Sequence, residues 1–420
     1  MENYLNAPYQ PKVLLASFAT NWDSVSEIPY LLKQAGCVTD VFCHKNSWLK
    51  SNSYFNIWIS CEADESTFPA ALSTFVTEKS VDYDWIILGD DPLVNLMNDY
   101  LLDETIAAKI LPITKLENRM ILGSKIGLSK FCSINNILTP AYHIYTGNNF
   151  TLKTFYDKEG FPLLTKEDRG CGGGGVKICN NVIELMASLA AIPNDSPVLI
   201  QKYLGNKAIG VEALFKNGKL LMHNCSVTLL NMTTEFSITT KRNFISNNII
   251  AEALRNFGDV AGLNGFVNGT YIYHEASNTY SLIEIDTRPN SWMAYGKFIG
   301  NDFSLAVKHF FNLSKTPIQT EIIDTKREIV LFNKDIKRCI LNNDFIGLLK
   351  WVFNYKGYWA YIPLYDKILF TRIRLTVVKL TTKKIKARII PILKIIAPNR
   401  YAKPIKEIQP IFTFNNEQFA

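Results

Sequence analysis

The sequence predicts an α/β domain at the N-terminus, an α+β region with antiparallel pairing in the middle, and a mostly helical, basic C-terminal extension. Three observations lead there. Apolar runs alternate with helical periodicity over the first quarter of the chain, strands cluster around a glycine run near position 170, and Lys and Arg dominate after Asp366. At 420 residues the chain exceeds the usual single-domain size. Hydrophobic residues at 47% and charged residues at 20% fit a globular protein with a sizeable core and argue against disorder.

In the first quarter, the apolar run at 12–18 reads as a buried strand. Residues 25–35 carry apolar side chains at helical spacing and stop at Gly36, a helix C-terminal signal. Strands follow at Val38–Cys43 and 85–89, the latter ending in Asp90-Asp91-Pro92. Strand, helix, strand at this rhythm predicts a parallel sheet covered by helices. A helix is expected at 124–134, after which strands are expected at 161–166, Val176–Cys179, 198–203, 210–215, 219–223, 271–274 and 281–286. Asn217-Gly218 predicts a hairpin turn.

Five glycines occupy the six positions 170–175, broken only by Cys171. Glycine packs nothing and costs chain entropy, so the run offers either a flexible loop or exposed backbone N–H groups that can wrap an anion. Gly170-x-Gly172-x-x-Gly175 matches a dinucleotide fingerprint in spacing, but it leads into a strand where that motif opens a helix. A Walker loop needs Gly-Lys-Ser/Thr and a protein kinase needs His-Arg-Asp and Asp-Phe-Gly; none occurs. What remains is a β-hairpin with a glycine loop, preceded by Lys166, which can neutralise phosphate charge.

The second signal is Glu284-Ile285-Asp286-Thr287-Arg288. On a strand, the two carboxylates and the guanidinium share one face. Carboxylates are hard oxygen ligands suited to Mg²⁺, and Arg288 could stabilise a transferring phosphoryl group. A structural salt bridge between Arg288 and a neighbour is the alternative.

In this order, the features resemble the ATP-grasp superfamily of carboxylate–amine ligases and carbamoyl-phosphate synthetase-like proteins, over residues 119–311. Gly123-Ser124-Lys125 resembles the segment with its first phosphate-contacting lysine, and Lys166 its second. Residues 170–176 resemble its lid loop, Gln201-Lys202-Tyr203-Leu204 the hinge that holds adenine, and residues 283–289 its metal strand. The resemblance implies domains at 1–118, 119–312 (lid at about 140–203) and 313–420. It implies ATP bound by Lys125, Lys166, Gly172, Gly173, Gly174, Gly175, Gln201, Lys202, Tyr203 and Leu204. Mg²⁺ (or Mn²⁺) would sit on Glu284 and Asp286, with Lys166 and Arg288 as catalytic residues. Asp286 stands where the family has Asn, Thr270 where it has a metal ligand, and Ala208 where it has a ribose-binding acid, for which Glu212 is the substitute.

The implied activity is an ATP-dependent ligase that activates a carboxylate as an acyl phosphate for attack by an amine or related nucleophile; its substrates are not legible. The alternative is a nucleotide-binding relative with impaired catalysis, suggested by Thr270 and Ala208. Lys241 and Arg242 either hold the acid substrate or decorate a loop. Nothing points to nucleic acid. Eight cysteines without a C-x-x-C pair, and an opening Met1-Glu2-Asn3-Tyr4 without a secretory pattern, lead to a cytoplasmic expectation. The net charge of +7 is concentrated at 366–407, where Lys367, Arg372, Arg374, Lys379, Lys383, Lys384, Lys386, Arg388 and Lys394 meet almost no acids. That segment reads as a helical region packing its apolar side on the body. Contact with the inner face of a membrane is the second reading.

Overall fold

The computed structural model describes residues 9–78, 82–170, 172–192, 196–275, 277–315 and 328–396, the last nine of these by backbone alone. Part of the basic segment, 397–407, therefore lies outside the described residues.

The N-terminal sheet holds β1 (Lys12–Ser17), β2 (Val38–Cys43), β3 (Trp58–Ser60) and β4 (Trp85–Leu88) in the order β3-β2-β1-β4, all parallel. Val13, Leu14, Leu15 and Ala16 are fully buried, as expected for a parallel strand covered on both faces. The predicted helix runs Ile28–Gln34, with Pro29 in its first turn and Gly36 just beyond it at φ +89°.

The second sheet, in the segment expected to form the lid and so named below, holds β5 (Tyr142–Tyr145), β6 (Leu163–Glu167), β7 (Val176–Cys179) and β8 (Val198–Lys202), antiparallel in the order β5-β8-β6-β7. The third has six strands: β9 (Ala208–Lys216), β10 (Lys219–Asn231), β11 (Thr239–Ile245), β12 (Gly265–His274), β13 (Thr279–Asp286) and β14 (Glu328–Val330), ordered β13-β12-β9-β10-β11-β14. Every pairing in it is antiparallel. The β9–β10 hairpin turns at Asn217-Gly218, both at positive φ. One strand, β14, comes from the region expected to be mostly helical; its short run Glu328-Ile329-Val330 completes the sheet edge beside β11.

The N-terminal sheet and the six-stranded sheet share their core. Leu14, Leu88 and Phe131 belong to the same buried cluster as Val211, Phe257 and Val267, and Trp85 stacks on Phe310 at 4.4 Å. Each fully buried side chain of this size contributes about 1.5–3 kcal/mol, so the N-terminal sheet is held as a wall of the central body rather than as a free lobe. Beyond β14, helices Phe332–Asn342 and Phe345–Val352 lead to a helix at Lys367–Ile396. Its start is fixed by buried Asp366, which caps Leu369 N–H and accepts from Ser53, and by Arg372, which lies 4.3 Å from the Trp48 ring centroid. Among the described residues no helix is long and apolar enough to cross a membrane.

Candidate functional site

The lid and the six-stranded sheet enclose a cleft of about 760 Å³, closed on a third side by the N-terminal domain. Leu164 and Val176 line it from the lid and Ile272 and Ile283 from the sheet, giving apolar walls to a slot that polar groups close at both ends.

On the lid side, β6 and β7 form a hairpin in which Lys166 pairs with Val176, so the glycine run is its connection. Gly172, Gly173 and Gly175 have φ of +63°, +79° and +72°, a region that only glycine enters without strain. A Cβ on Gly173 would lie 2.2 Å from the Phe236 carbonyl oxygen, so the loop packs against the β10–β11 turn by bare backbone. Gly172, Gly173 and Gly174 line the cleft. Gly175, expected with them, does not: its carbonyl accepts from Glu167 N–H and closes the hairpin.

Lys166 is buried, and its Nζ donates to Gln201 Oε1 at 2.7 Å. Burial pushes its ammonium down to about 8, with Glu284 acting to keep the charge and Lys125 acting against it. Lys125 begins the helix Lys125–Ile134, whose N-cap is Ser124. Its Nζ donates to the Gly170 carbonyl at 2.6 Å, so this lysine is already on the glycine loop. Asp168 holds that arrangement, accepting from Ser124 Oγ and Ile126 N–H at 2.8 Å each. Gln201, Lys202, Tyr203 and Leu204 all line the cleft. The ammonium of Lys202 nevertheless donates to the carbonyls of Gly160 and Phe161, just ahead of β6.

On the sheet side, β12 and β13 set Thr270 opposite Glu284 and Asn268 opposite Asp286. Glu284 and Asp286 line the cleft on alternate positions of β13, and Arg288, two residues past its end, lines it as well. Arg288 is gripped by Asp91 through Nε (2.7 Å) and Nη2 (2.6 Å) and by Asp286 at 2.9 Å. The salt bridge is therefore present, and the same guanidinium lines the cleft. Burial opposes its charge, but Asp91 and Asp286 hold it firmly protonated. Asp286 is pushed up to about 8 by burial and by Asp91, with Arg288 opposing and Glu284 adding to the rise. The rise at Asp286 reflects three carboxyl groups crowded around one guanidinium, a crowding that a divalent cation would relieve. Among the described residues no group of three or more His, Cys, Asp or Glu gathers as a metal cage. Two carboxylates completed by phosphate oxygens and water fit Mg²⁺.

Glu212, expected near a ribose, is a correction. It lies fully buried in the middle of β9, where Arg242 Nη1 (2.7 Å) and Asn290 Nδ2 (3.1 Å) donate to its Oε1, and it does not line the cleft. Arg242 is no loop decoration, for it lines the cleft with its guanidinium 4.5 Å from the Trp292 ring centroid. Lys241 pairs with Glu328 at 2.5 Å.

Sequence reasoning missed Asp91, Asn290 and the group of Asp23 with Lys334 and Lys337. Asp91 and Asp23 follow the carboxyl ends of β4 and β1, where ligands bind in open α/β sheets, and that signal could have found them. Asn290 links Glu212 to Asn268 and caps the turn at Ser291–Ile299. Lys334 and Lys337 both pair with Asp23, 2.9 Å away for Lys337, leaving one unbalanced positive charge at this end of the cleft.

No protein-family model matches the sequence. A stretch of 210 residues, 48% of this chain, is 21% identical to the carbamoyl-phosphate synthase of Methanobrevibacter smithii and covers 55% of that protein, so the chain spans about half the length of the curated relative it matches. Among solved structures, an ADP complex of N5-carboxyaminoimidazole ribonucleotide synthetase superposes with a TM-score of 0.58 at 14% identity, covering 80% of this chain and 86% of that one. The biotin carboxylase domain of Hydrogenobacter thermophilus 2-oxoglutarate carboxylase, with MgADP and bicarbonate, gives 0.55 at 15% over 76% and 73%. An L-amino acid ligase from Bacillus licheniformis gives 0.51 at 14% over 72% and 70%. At these identities the shared property is architecture, and this chain has the ATP-grasp fold.

Proposed function

We propose that the chain is an ATP- and Mg²⁺-dependent ligase that joins a carboxylate to an amine or related nucleophile. The observation that carries this reading is the meeting of Lys125 and Lys166 with Glu284 across one cleft, closed by a glycine loop whose backbone approach admits no side chain. The apolar slot suits a purine ring between Leu164 and Val176 on one side and Ile272 and Ile283 on the other. Lys125 and Lys166 neutralise phosphate charge, and Gly172, Gly173 and Gly174 cover the terminal phosphate with main-chain groups. Glu284 and Asp286 hold the metal, which supplies charge neutralisation and alignment of the phosphates.

In the first step a substrate carboxylate oxygen bonds to the terminal phosphorus and ADP leaves, giving an acyl phosphate. An amine then displaces phosphate from the acyl carbon and gives up a proton. Arg288, fixed by Asp91, stabilises the negative charge on the phosphoryl group in transit. No covalent nucleophile is required of the protein. Carbamoyl-phosphate synthase, the L-amino acid ligase and the biotin carboxylase domain are similar proteins, and the activities their names give support the reading.

The test is ADP release by the purified chain with Mg²⁺ across a panel of amino acids and sugar acids. Glu284→Gln should lower it by about a thousandfold, the order expected for loss of one preorganised electrostatic element. Full activity in that variant would rule out this metal assignment. A second reading, nucleotide binding with impaired catalysis, is favoured by Thr270, which stands opposite Glu284 where a carboxylate would complete the metal site. ATP binding without substrate-dependent ADP release would select it.

A further inference from the structure

We infer that the outward face of the C-terminal helix, together with the exposed apolar surface beside it, is a docking surface for an anionic lipid bilayer. The helix Lys367–Ile396 packs on the body through Leu369, Ile373 and Val377. Those residues suffice to seat it, yet the opposite face carries a second apolar stripe: Ile368, Leu375, Val378 and Ile385 are each at least half exposed. At about 100° per residue these four fall within one sector, bordered by exposed Lys367, Arg374, Lys379, Lys383 and Lys386. A narrow apolar stripe rimmed on both sides by long cationic side chains is the pattern of a helix lying in a headgroup layer, where the cations reach phosphates and the stripe meets acyl chains.

The neighbouring surface extends the same pattern. On the helix Phe345–Val352 and the turn after it, Phe345, Ile346, Val352, Phe353 and Trp359 are 52–76% exposed, a cluster of large apolar side chains that a soluble monomer rarely presents. Lys384, on the packed side of the long helix, donates to the Leu341 carbonyl at 2.6 Å and ties that helix to the turn ahead of Phe345–Val352. Over residues 328–387 there are 12 Lys and Arg against 4 acids; each acid is already engaged, as are Lys334, Lys337 and Arg338 among the cations. Glu328 is held by Lys241, Asp335 and Asp344 by Arg338, and Asp366 by Ser53 and the helix start. The surface therefore presents cationic groups among apolar and neutral polar ones, including exposed Thr371 and Thr382. Two copies placed face to face would oppose like charges, which argues against self-association through it.

Flotation of the full chain on phosphatidylcholine vesicles, with and without phosphatidylglycerol, tests this. The chain should float only with the anionic lipid, and less at high salt. The triple variant Lys379→Glu, Lys383→Glu, Lys386→Glu, at exposed positions, should weaken binding by about a hundredfold or more. Ile346→Ser with Phe353→Ser should weaken it further at unchanged melting temperature. Absence of flotation on anionic vesicles overturns the inference, as does equal flotation of the triple variant. A dimer in light scattering that the serine pair dissolves, without vesicle binding, overturns it in favour of a second copy. None of these readouts depends on the ligase activity.

Discussion

The two walls of the cleft are assembled over very different distances along the chain. On the lid wall, Lys166 finds Gln201 within the same four-stranded sheet, 35 residues away, and the glycine run joins adjacent strands. On the sheet wall, Arg288 is held by Asp91, 197 residues away in the N-terminal domain. The Lys166–Gln201 contact is thus made within the lid, whereas the Glu284–Arg288 strand acquires its geometry only when two domains pack. Nucleotide affinity should follow the first wall and turnover the second.

Replacing Lys166 with Met is the larger test of that division. It removes a buried ammonium and leaves Lys125 as the remaining lysine of the pair in the cleft. Since a charge-assisted hydrogen bond contributes about 1.5–3 kcal/mol, ATP affinity measured by calorimetry should fall roughly 10- to 100-fold. Unchanged affinity would show that the lid wall is not where phosphate is held. Asp91→Asn acts on the other wall. It keeps the shape but weakens the grip on Arg288, so substrate-dependent ADP release should drop about tenfold while ATP affinity stays within about twofold. A loss confined to ATP affinity would break the comparison, because it would place Asp91 in nucleotide binding.

The same distinction governs what could be read from the sequence. The strands bearing Lys166, Glu284 and Asp286, the helix begun by Lys125 and the glycine connection are written in local periodicity and turn residues. They were legible within a residue or two. β3 and β14 are three residues each, too short for a period to show, and their existence depends on the neighbour that pairs with them. Glu212 shows the deeper limit. An acid close after the hinge looked free to meet a ribose, but Arg242 from β11 claims it, and strand order alone decides that encounter. The outward stripe on the last helix was hidden for a related reason. Its apolar residues lie on two faces, so the sequence shows no single amphipathic side, and only the burial of Leu369 and Ile373 separates the packed face from the exposed one.

The smallest expected effect sharpens the lid wall further. With its ammonium pushed down to about 8 by burial, Lys166 is charged in the free protein below pH 8 and loses its proton above it. Bound phosphate favours the charged form, so the free chain must take up a proton to bind once the pH exceeds that value. ATP affinity should therefore be level at pH 6 to 7, bend near pH 8 and fall by up to about tenfold per pH unit beyond it. In an Asp286→Asn background, which removes the other group pushed up to about 8 in this cleft, Lys166→Arg supplies a guanidinium that stays charged throughout, so the bend should vanish even if the longer side chain binds more weakly overall. A bend that persists unchanged in the arginine variant would assign it to another group, and the grip on phosphate would then have to come from Lys125 and the loop backbone.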